Sequence, residues 1–319
     1  VVQTQVARPT LVGSAGYKGP PIGDGVEIGY SIVPSWRRRG LATEACGALI
    51  ESAWARGADR VVAHTFAHLD ASIGVLRKLG FELTESSDPA EQEFRLRRET
   101  DALRRFGLGE EDLAVWRKSG GDFDQWLTDR VARRPSGSRA RAVYGAEDVH
   151  DFARRAILEA LALGAGDHLL EIGCGGGLLL RDALRAGALA TGIDHSEEMV
   201  ELARDRAPGA RVVLGAAEQL PFAPGTFTAV AMSVVFFFLE DPALVLREAR
   251  RVLRLGGRVA IYTTGPELRG TPAAPEPVAS LGHFYTDEQL AELASGAGLG
   301  SVAVRNERGG QLLTARSEP

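Results

Sequence analysis

Apolar positions change their period several times along the chain. Near the front, residues 11–17 and 26–33 alternate and carry a Gly/Pro segment between them, which predicts two strands and a turn. Ala45, Leu49, Ile50 and Ala53 then recur at helical spacing, and much later Phe152, Ala156, Ile157, Ala160 and Leu161 do the same. Gly164-Ala165-Gly166 delivers that second helix into Leu169-Leu170-Glu171-Ile172, a continuous apolar run of the kind a strand buried on both faces shows. Strand and helix patterns alternate from there. Residues 190–193 and 227–235 predict strands, the latter the fourth of its sheet, and Asp241-Pro242 opens a helix expected to end at Gly256-Gly257. A strand over 258–263 follows. Thr286-Asp287-Glu288-Gln289 is a capping-box pattern for the last helix, and 301–306 with 311–315 predict a hairpin around Gly309-Gly310.

Such alternation predicts an α/β fold for residues 121–319, with a smaller α+β module over 1–98 and a connector over 99–120 broken by Gly107, Gly109 and Gly120. Phe123, Trp126, Leu127 and Val131 share one helical face, and Pro135-Ser136-Gly137-Ser138 ends it; this helix is expected to act as a lid on the rear domain.

Composition narrows the classes. The 319 residues are 45% hydrophobic and 25% charged, enough for two soluble domains, with no apolar run of membrane length and no charged-then-apolar leader. A cytoplasmic protein with no membrane partner is the expectation. Cys46 and Cys174 form no C-x-x-C or metal spacing, and His64 and His68 lie on a strand and its exit, so no metal is expected. A net charge of −5 argues against a broad phosphate-binding surface and hence against nucleic acid as partner. Oligomeric state is left open. The chain begins Val1-Val2 rather than Met, read as a fragment or a non-ATG start translated literally.

Candidate chemistry concentrates in Gly173-Cys174-Gly175-Gly176-Gly177, between the apolar run and Leu178-Leu179-Leu180. Glycines there let a ligand approach bare backbone while the following helix directs N–H groups at it. A dinucleotide fingerprint would need a glycine where Leu178 stands, so NAD is not expected. Glu171-x-Gly173-x-Gly175-x-Gly177, Asp194 at the next strand end, the 215–222 segment and the 251–258 turn together resemble the ordered motifs of class I S-adenosylmethionine (SAM) dependent methyltransferases. The resemblance is to the ubiquinone/menaquinone-biosynthesis type. It implies a seven-stranded Rossmann-like sheet and SAM as cofactor. It also implies cofactor contacts from Glu171, Gly173, Cys174, Gly175, Gly177, Asp194 (ribose), His195 (beside adenine), Met199, Ala217, Glu218 and Met232. Where the family commonly has Asp, this chain has Ala216 and Thr228.

Ligands of open α/β sheets sit beyond the carboxyl ends of the strands, so Ser233, Phe237 and Tyr285 are the substrate candidates, with a small molecule as acceptor. The sequence Met-Ser-Val-Val-Phe at 232–236 lacks the Asn/Asp-Pro-Pro-aromatic signature of nucleic-acid amino-methyltransferases. No catalytic base is assigned, because in-line displacement can rest on alignment.

At the front, Arg37-Arg38-Arg39-Gly40-Leu41-Ala42 and Ser72-Ile73-Gly74-Val75-Leu76-Arg77-Lys78-Leu79-Gly80-Phe81 resemble the acetyl-CoA loop and fourth helix of GNAT N-acetyltransferases. The resemblance implies acetyl-CoA contacts from Arg37, Arg39, Gly40 and Ala42; the alternative for the arginines is a solvated charge run. The family's opening strand and two helices would lie upstream of Val1, and Leu69 and Leu76 stand where many relatives carry Asn and Tyr. Glu27 is left as candidate base. The expectation is a truncated, accessory module that binds CoA weakly and transfers acetyl poorly, with a bifunctional acetyltransferase/methyltransferase and a SAM/CoA-sensing non-enzyme as the alternatives.

Overall fold

Leu169 and Leu170, both fully buried, sit in the middle of the larger of two sheets, as a strand apolar on both faces requires. The structure, a computed structural model, describes residues 2–3, 10–84, 86, 90–148, 150–307 and 309–319; Val1 lies outside them. The chain divides into two compact units, Val1–Gly120 and Gly121–Pro319.

In the rear unit the strands are β1 (His168–Ile172), β2 (Leu189–Asp194), β3 (Arg211–Leu214), β4 (Phe227–Ser233), β5 (Leu253–Thr264), β6 (Leu299–Glu307) and β7 (Gly310–Ser317). They form one seven-stranded sheet in the order β3-β2-β1-β4-β5-β7-β6. β3 through β5 are parallel neighbours, and β7 enters antiparallel between β5 and β6. The expected Rossmann-like sheet with a closing hairpin is what the structure shows.

Its longer helices are α1 (Phe123–Thr128), α2 (Gly137–Gly145), α3 (Asp151–Leu161), α4 (Leu178–Arg185), α5 (Glu197–Arg206), α6 (Pro242–Val252) and α7 (Asp287–Gly296). Leu170, Ile172, Val230, Met232 and Ile261 face a core shared with α6 and α7, whereas Leu169, Ala229, Ala231, Ala260 and Tyr262 face α3, α4 and α5. Side-chain alternation along each strand divides the two cores. At the amino edge, the Thr228 hydroxyl donates to Asp167 at 2.8 Å and accepts from the His168 N–H at 2.9 Å, while Arg258 also reaches Asp167.

Two element ends differ from the sequence expectation. α6 stops at Val252 and β5 already starts at Leu253, so Gly256 and Gly257 lie inside the strand instead of capping the helix. The break follows from packing: Leu253 pairs with Phe227 and is buried, which pulls the chain into the sheet four residues before Gly257. β4 likewise ends at Ser233, because Val234 turns into the left-handed region at φ 58°.

The front unit holds a five-stranded sheet of Gly13–Tyr17, Gly25–Ile32, Arg60–Phe66, Glu91–Arg97 and Glu82–Thr84, in that spatial order. Helices Leu41–Ala55 and Asp70–Lys78 cover one face through Cys46, Ile50 and Leu76, packed on Ile28, Val61, Phe94 and Leu96. Gly25–Ile32 and Arg60–Phe66 are parallel, yet their pairing covers only Gly25–Glu27 against Arg60–Val62. Residues 99–120, read from sequence as a connector, fold into helices Arg98–Arg105 and Glu110–Ser119 of this unit. The Trp54 indole donates to buried Asp101 at 3.0 Å.

Candidate functional site

β1 ends in a turn whose Gly173, Gly175 and Gly177 all have positive φ, at 71°, 46° and 78°. Each glycine is there for a different reason. A Cβ on Gly173 would strike Val235 and one on Gly177 the backbone of Ala203, each inside 3 Å, so these two are packing requirements. A Cβ on Gly175 would meet nothing within 4 Å among the described residues. Gly175 therefore presents bare backbone to open space, the geometry of a ligand cradle.

Asp194, at the end of β2, faces the same turn. Its two carboxylate oxygens accept from the Gly175 and Ser196 N–H groups, each at 2.9 Å. Burial raises its pKa above the ordinary carboxylate value, against the opposing pull of those N–H bonds. Ser196 caps α5, accepting from the Met199 N–H at 3.4 Å. Glu171 is 3% exposed, and its Oε2 has no hydrogen-bond partner among the described residues. Burial, reinforced by the charge of Asp194, pushes its pKa well above the usual range.

Several side chains that sequence patterns miss hold this site together. Arg206, on the last turn of α5, donates to the carbonyls of Gly176 (2.8 Å), Tyr144 (2.9 Å) and Gly145 (2.6 Å), tying the glycine turn to the end of α2. Glu248 and Arg251, paired on α6, grip the segment after β3. Glu248 accepts from the Leu220 N–H, and Arg251 donates to the Leu220 and Phe222 carbonyls. Ala217 and Glu218 lie on that gripped segment, both half-buried.

Other expected contacts are differently placed. Cys174 is buried beneath Gly192, where an added Cβ would meet its Sγ at 2.8 Å, so only its backbone can face a ligand. Met199 and Met232 are 1% and 0% exposed, and Met232 lies in the core with Leu170, Ile172 and Phe236. His195 is exposed, with its Nε2 bonded to the Arg133 carbonyl. Ser233 is half-buried at the carboxyl end of β4, in register with Tyr262. Phe237 is buried against Phe238 and Phe284, with ring centroids at 4.0 and 5.7 Å, and offers no open wall. Tyr285 packs on Phe236 and lines a groove of 440 Å³ with residues of α6 and α7.

In the front unit Arg37, Arg39 and Gly40 are exposed and Ala42 half-buried. Gly40, at φ 82°, is the N-cap of Leu41–Ala55. The Arg37 Nε donates to the Ile32 carbonyl at 3.1 Å, and Arg39 stacks over Trp36 at 4.4 Å, so both arginines are engaged locally. Glu27 accepts from Lys18 (2.7 Å) and sits 2.9 Å from His64 Nδ1. Burial raises the pKa of Glu27, but Lys18 and His64 outweigh it and leave the carboxyl below its ordinary value. Leu76 is fully buried. Among the described residues no cluster of metal-ligating side chains is found, and no helix is long and apolar enough to cross a membrane.

Fold and turn together give the rear unit a Rossmann-like architecture with an open glycine cradle at the carboxyl end of β1. Residues 170–261 match the family described as a methyltransferase domain, and residues 1–82 match the family described as an acetyltransferase (GNAT) domain. It is similar to 27-O-demethylrifamycin SV methyltransferase of Amycolatopsis mediterranei, 40% identical over 131 residues, covering 38% of this chain and 48% of that protein. Ubiquinone biosynthesis O-methyltransferase of Xanthomonas oryzae pv. oryzae is 35% identical over 119 residues, 34% of this chain and 46% of that one. The chain thus spans about half the length of the curated relatives it matches. A methyltransferase of Haloferax volcanii, solved in complex with a methyltransferase activator, shares the fold with a TM-score of 0.51 at 21% identity, over 56% of this chain and 94% of that one.

Proposed function

We propose that the rear unit transfers a methyl group from SAM to a small-molecule acceptor. The observation that carries this is the cradle at Gly175, open where a Cβ would project, with Asp194 bonded to the same backbone. The residues suit the cofactor. An ionised carboxylate offers roughly four lone-pair sites, so Asp194 retains capacity for ribose hydroxyls beyond its two backbone partners. The gripped segment at Ala217 and Glu218 supplies the adenine side, and the backbone of Gly173–Gly177 the amino-acid side. SAM supplies a methyl group already activated on a sulfonium centre. The protein's task is then to hold and align, which can provide most of the rate.

For the front unit we infer a weak CoA-binding accessory module. Glu27 is held charged by Lys18 and His64, which opposes the proton-accepting role a bifunctional enzyme would need. Isothermal calorimetry with SAM, NADH and acetyl-CoA on the whole chain tests both readings. Tight SAM binding lost in Asp194→Ala, with NADH inert, supports the first; NADH binding in place of SAM overturns it.

A further inference from the structure

On the front sheet, Ile28, Val61 and Ala63 face the two covering helices, so strand alternation turns Glu27, Gly29 and His64 to the opposite, open face. Lys18 joins them there. Its N–H donates to the Glu27 carbonyl at 2.9 Å, which sets the two residues side by side. The Lys18 side chain then lies across Gly29, where an added Cβ would meet its Cε at 3.1 Å, and its Nζ ends 2.7 Å from Glu27 Oε1. His64 Nδ1 stands 2.9 Å from the same oxygen, and His64 Nε2 3.5 Å from Glu93. The Lys18 side chain is 46% exposed, and an ion pair so open to water adds little stability, so folding gives little reason for this placement.

The amine stands at the closed end of a gap. Strands Gly25–Ile32 and Arg60–Phe66 pair with each other only over Gly25–Glu27 and Arg60–Val62, while each keeps its outer partner through Ile32 and Phe66. Among the described residues, the facing edges beyond Glu27 and Val62 are not paired with each other. The Glu27–His64 contact bridges the two strands where their pairing stops. At the other end, Gly25–Ile32 leads to the loop of Arg37 and the left-handed N-cap Gly40, and Arg37 is fastened to the Ile32 carbonyl. Ile28 and Ile32 are about 13 Å apart at the rise of a strand, so an extended acyl arm running back from a phosphate at that loop ends beside Glu27 and Lys18.

We propose that Lys18 is an acetylation site of this chain, its amine taking the acetyl group of an acetyl-CoA bound by the same front unit. The inference rests on the CoA-binding reading above. It asks for no separate acceptor, and Glu27 acts by holding the nitrogen in place rather than by taking its proton. The Lys18 ammonium releases one proton to water. The nitrogen pair then bonds the carbonyl carbon, the carbon–sulfur bond breaks with its pair going to sulfur, and the thiolate takes the second nitrogen proton and leaves as CoA thiol. Tethering stands in for a base, because a group held beside its reaction partner reacts as though at very high concentration. The product amide is neutral, so the ion pair with Glu27 is lost and the carboxylate is left to His64.

The chain contains three lysines, and Lys78 and Lys118, both exposed, serve as internal controls. The full chain is incubated with acetyl-CoA and, separately, with S-acetyl-N-acetylcysteamine, an acetyl thioester without the nucleotide; peptide mass spectrometry follows each lysine. With acetyl-CoA, Lys18 is expected to be acetylated at least about tenfold faster than Lys78 or Lys118, and with the short thioester all three at like rates. Glu27→Gln is expected to cut the preference seen with acetyl-CoA at least about fivefold. Calorimetry of CoA on the unsubstituted chain separates the two readings. Failure to bind CoA breaks the CoA-binding reading and this inference with it. Intact binding with the three lysines acetylated alike, with the same Lys18 preference from the short thioester, or with a preference untouched by Glu27→Gln, overturns the Lys18 inference alone.

Discussion

Both units present a left-handed glycine that delivers a helix N-terminus, Gly177 before α4 and Gly40 before Leu41–Ala55, and they differ in what stands behind it. Behind Gly177 are a neighbouring helix backbone, a buried carboxylate on the Gly175 N–H and a guanidinium on the Gly176 carbonyl. Behind Gly40 a Cβ would meet nothing within 4 Å among the described residues, and the flanking arginines are turned onto Ile32 and Trp36. A ligand-binding glycine loop is thus not defined by its glycines. It is defined by how many directions the rest of the chain fixes it from, since a preorganised loop spends less of its binding energy on ordering.

The sharpest way to break the comparison is to place side chains at the two glycines. Gly177→Val adds left-handed strain to a backbone clash at 2.8 Å and is expected to cost at least about 3 kcal/mol, read as loss of the rear unit's cooperative melting. A variant melting like the unsubstituted chain would mean that the turn is not fixed from behind. Next is Asp194→Ala, expected to weaken SAM at least about tenfold, or about 1.4 kcal/mol, in calorimetry. Its front-unit counterpart, Arg37→Ala, is expected to change CoA affinity less than about twofold, since Arg37 is committed to Ile32.

A smaller effect concerns Glu171. Its folded pKa lies above the ordinary 4.5, so the folded chain holds this proton longer than the unfolded one. Stability from this group is therefore full below pH 4.5 and is lost as pH rises through the folded pKa. Glu171→Gln is expected to raise the melting temperature by a few degrees at neutral pH, with the gain vanishing below pH 4.5. An advantage that instead grew toward acid would reverse the assignment. Gly40→Ala carries only the left-handed penalty of about 1 kcal/mol and is expected to shift the front unit's melting slightly.

Much of this was legible in the chain. The glycine turn, the strand-end Asp194, the Ser196 cap and the Thr286–Gln289 capping box are local patterns, each set by residues within a few positions of one another, and each forms as expected. What sequence reading missed is long-range. Arg206 reaches carbonyls 30 to 62 residues away, and Arg251 those 29 and 31 away, and a carbonyl leaves no trace in residue identity. The burial of Met232 inside β4 is also long-range, since the face a strand residue occupies is filled by whichever helices cover it, here α6 and α7.

Asp167 gathers Thr228 from β4, Arg258 from β5 and the Gly164 N–H at the amino edge, opposite the cradle. Fastening three segments there makes that end of the domain a hinge-free root from which the opposite loops project. Of the loops at that opposite edge, 234–239 is built into the core through Phe236 and Phe237, whereas 266–273 is largely exposed. For anyone wishing to reshape the rim of this scaffold, 266–273 is the stretch to graft, and Asp167 is the residue to leave alone.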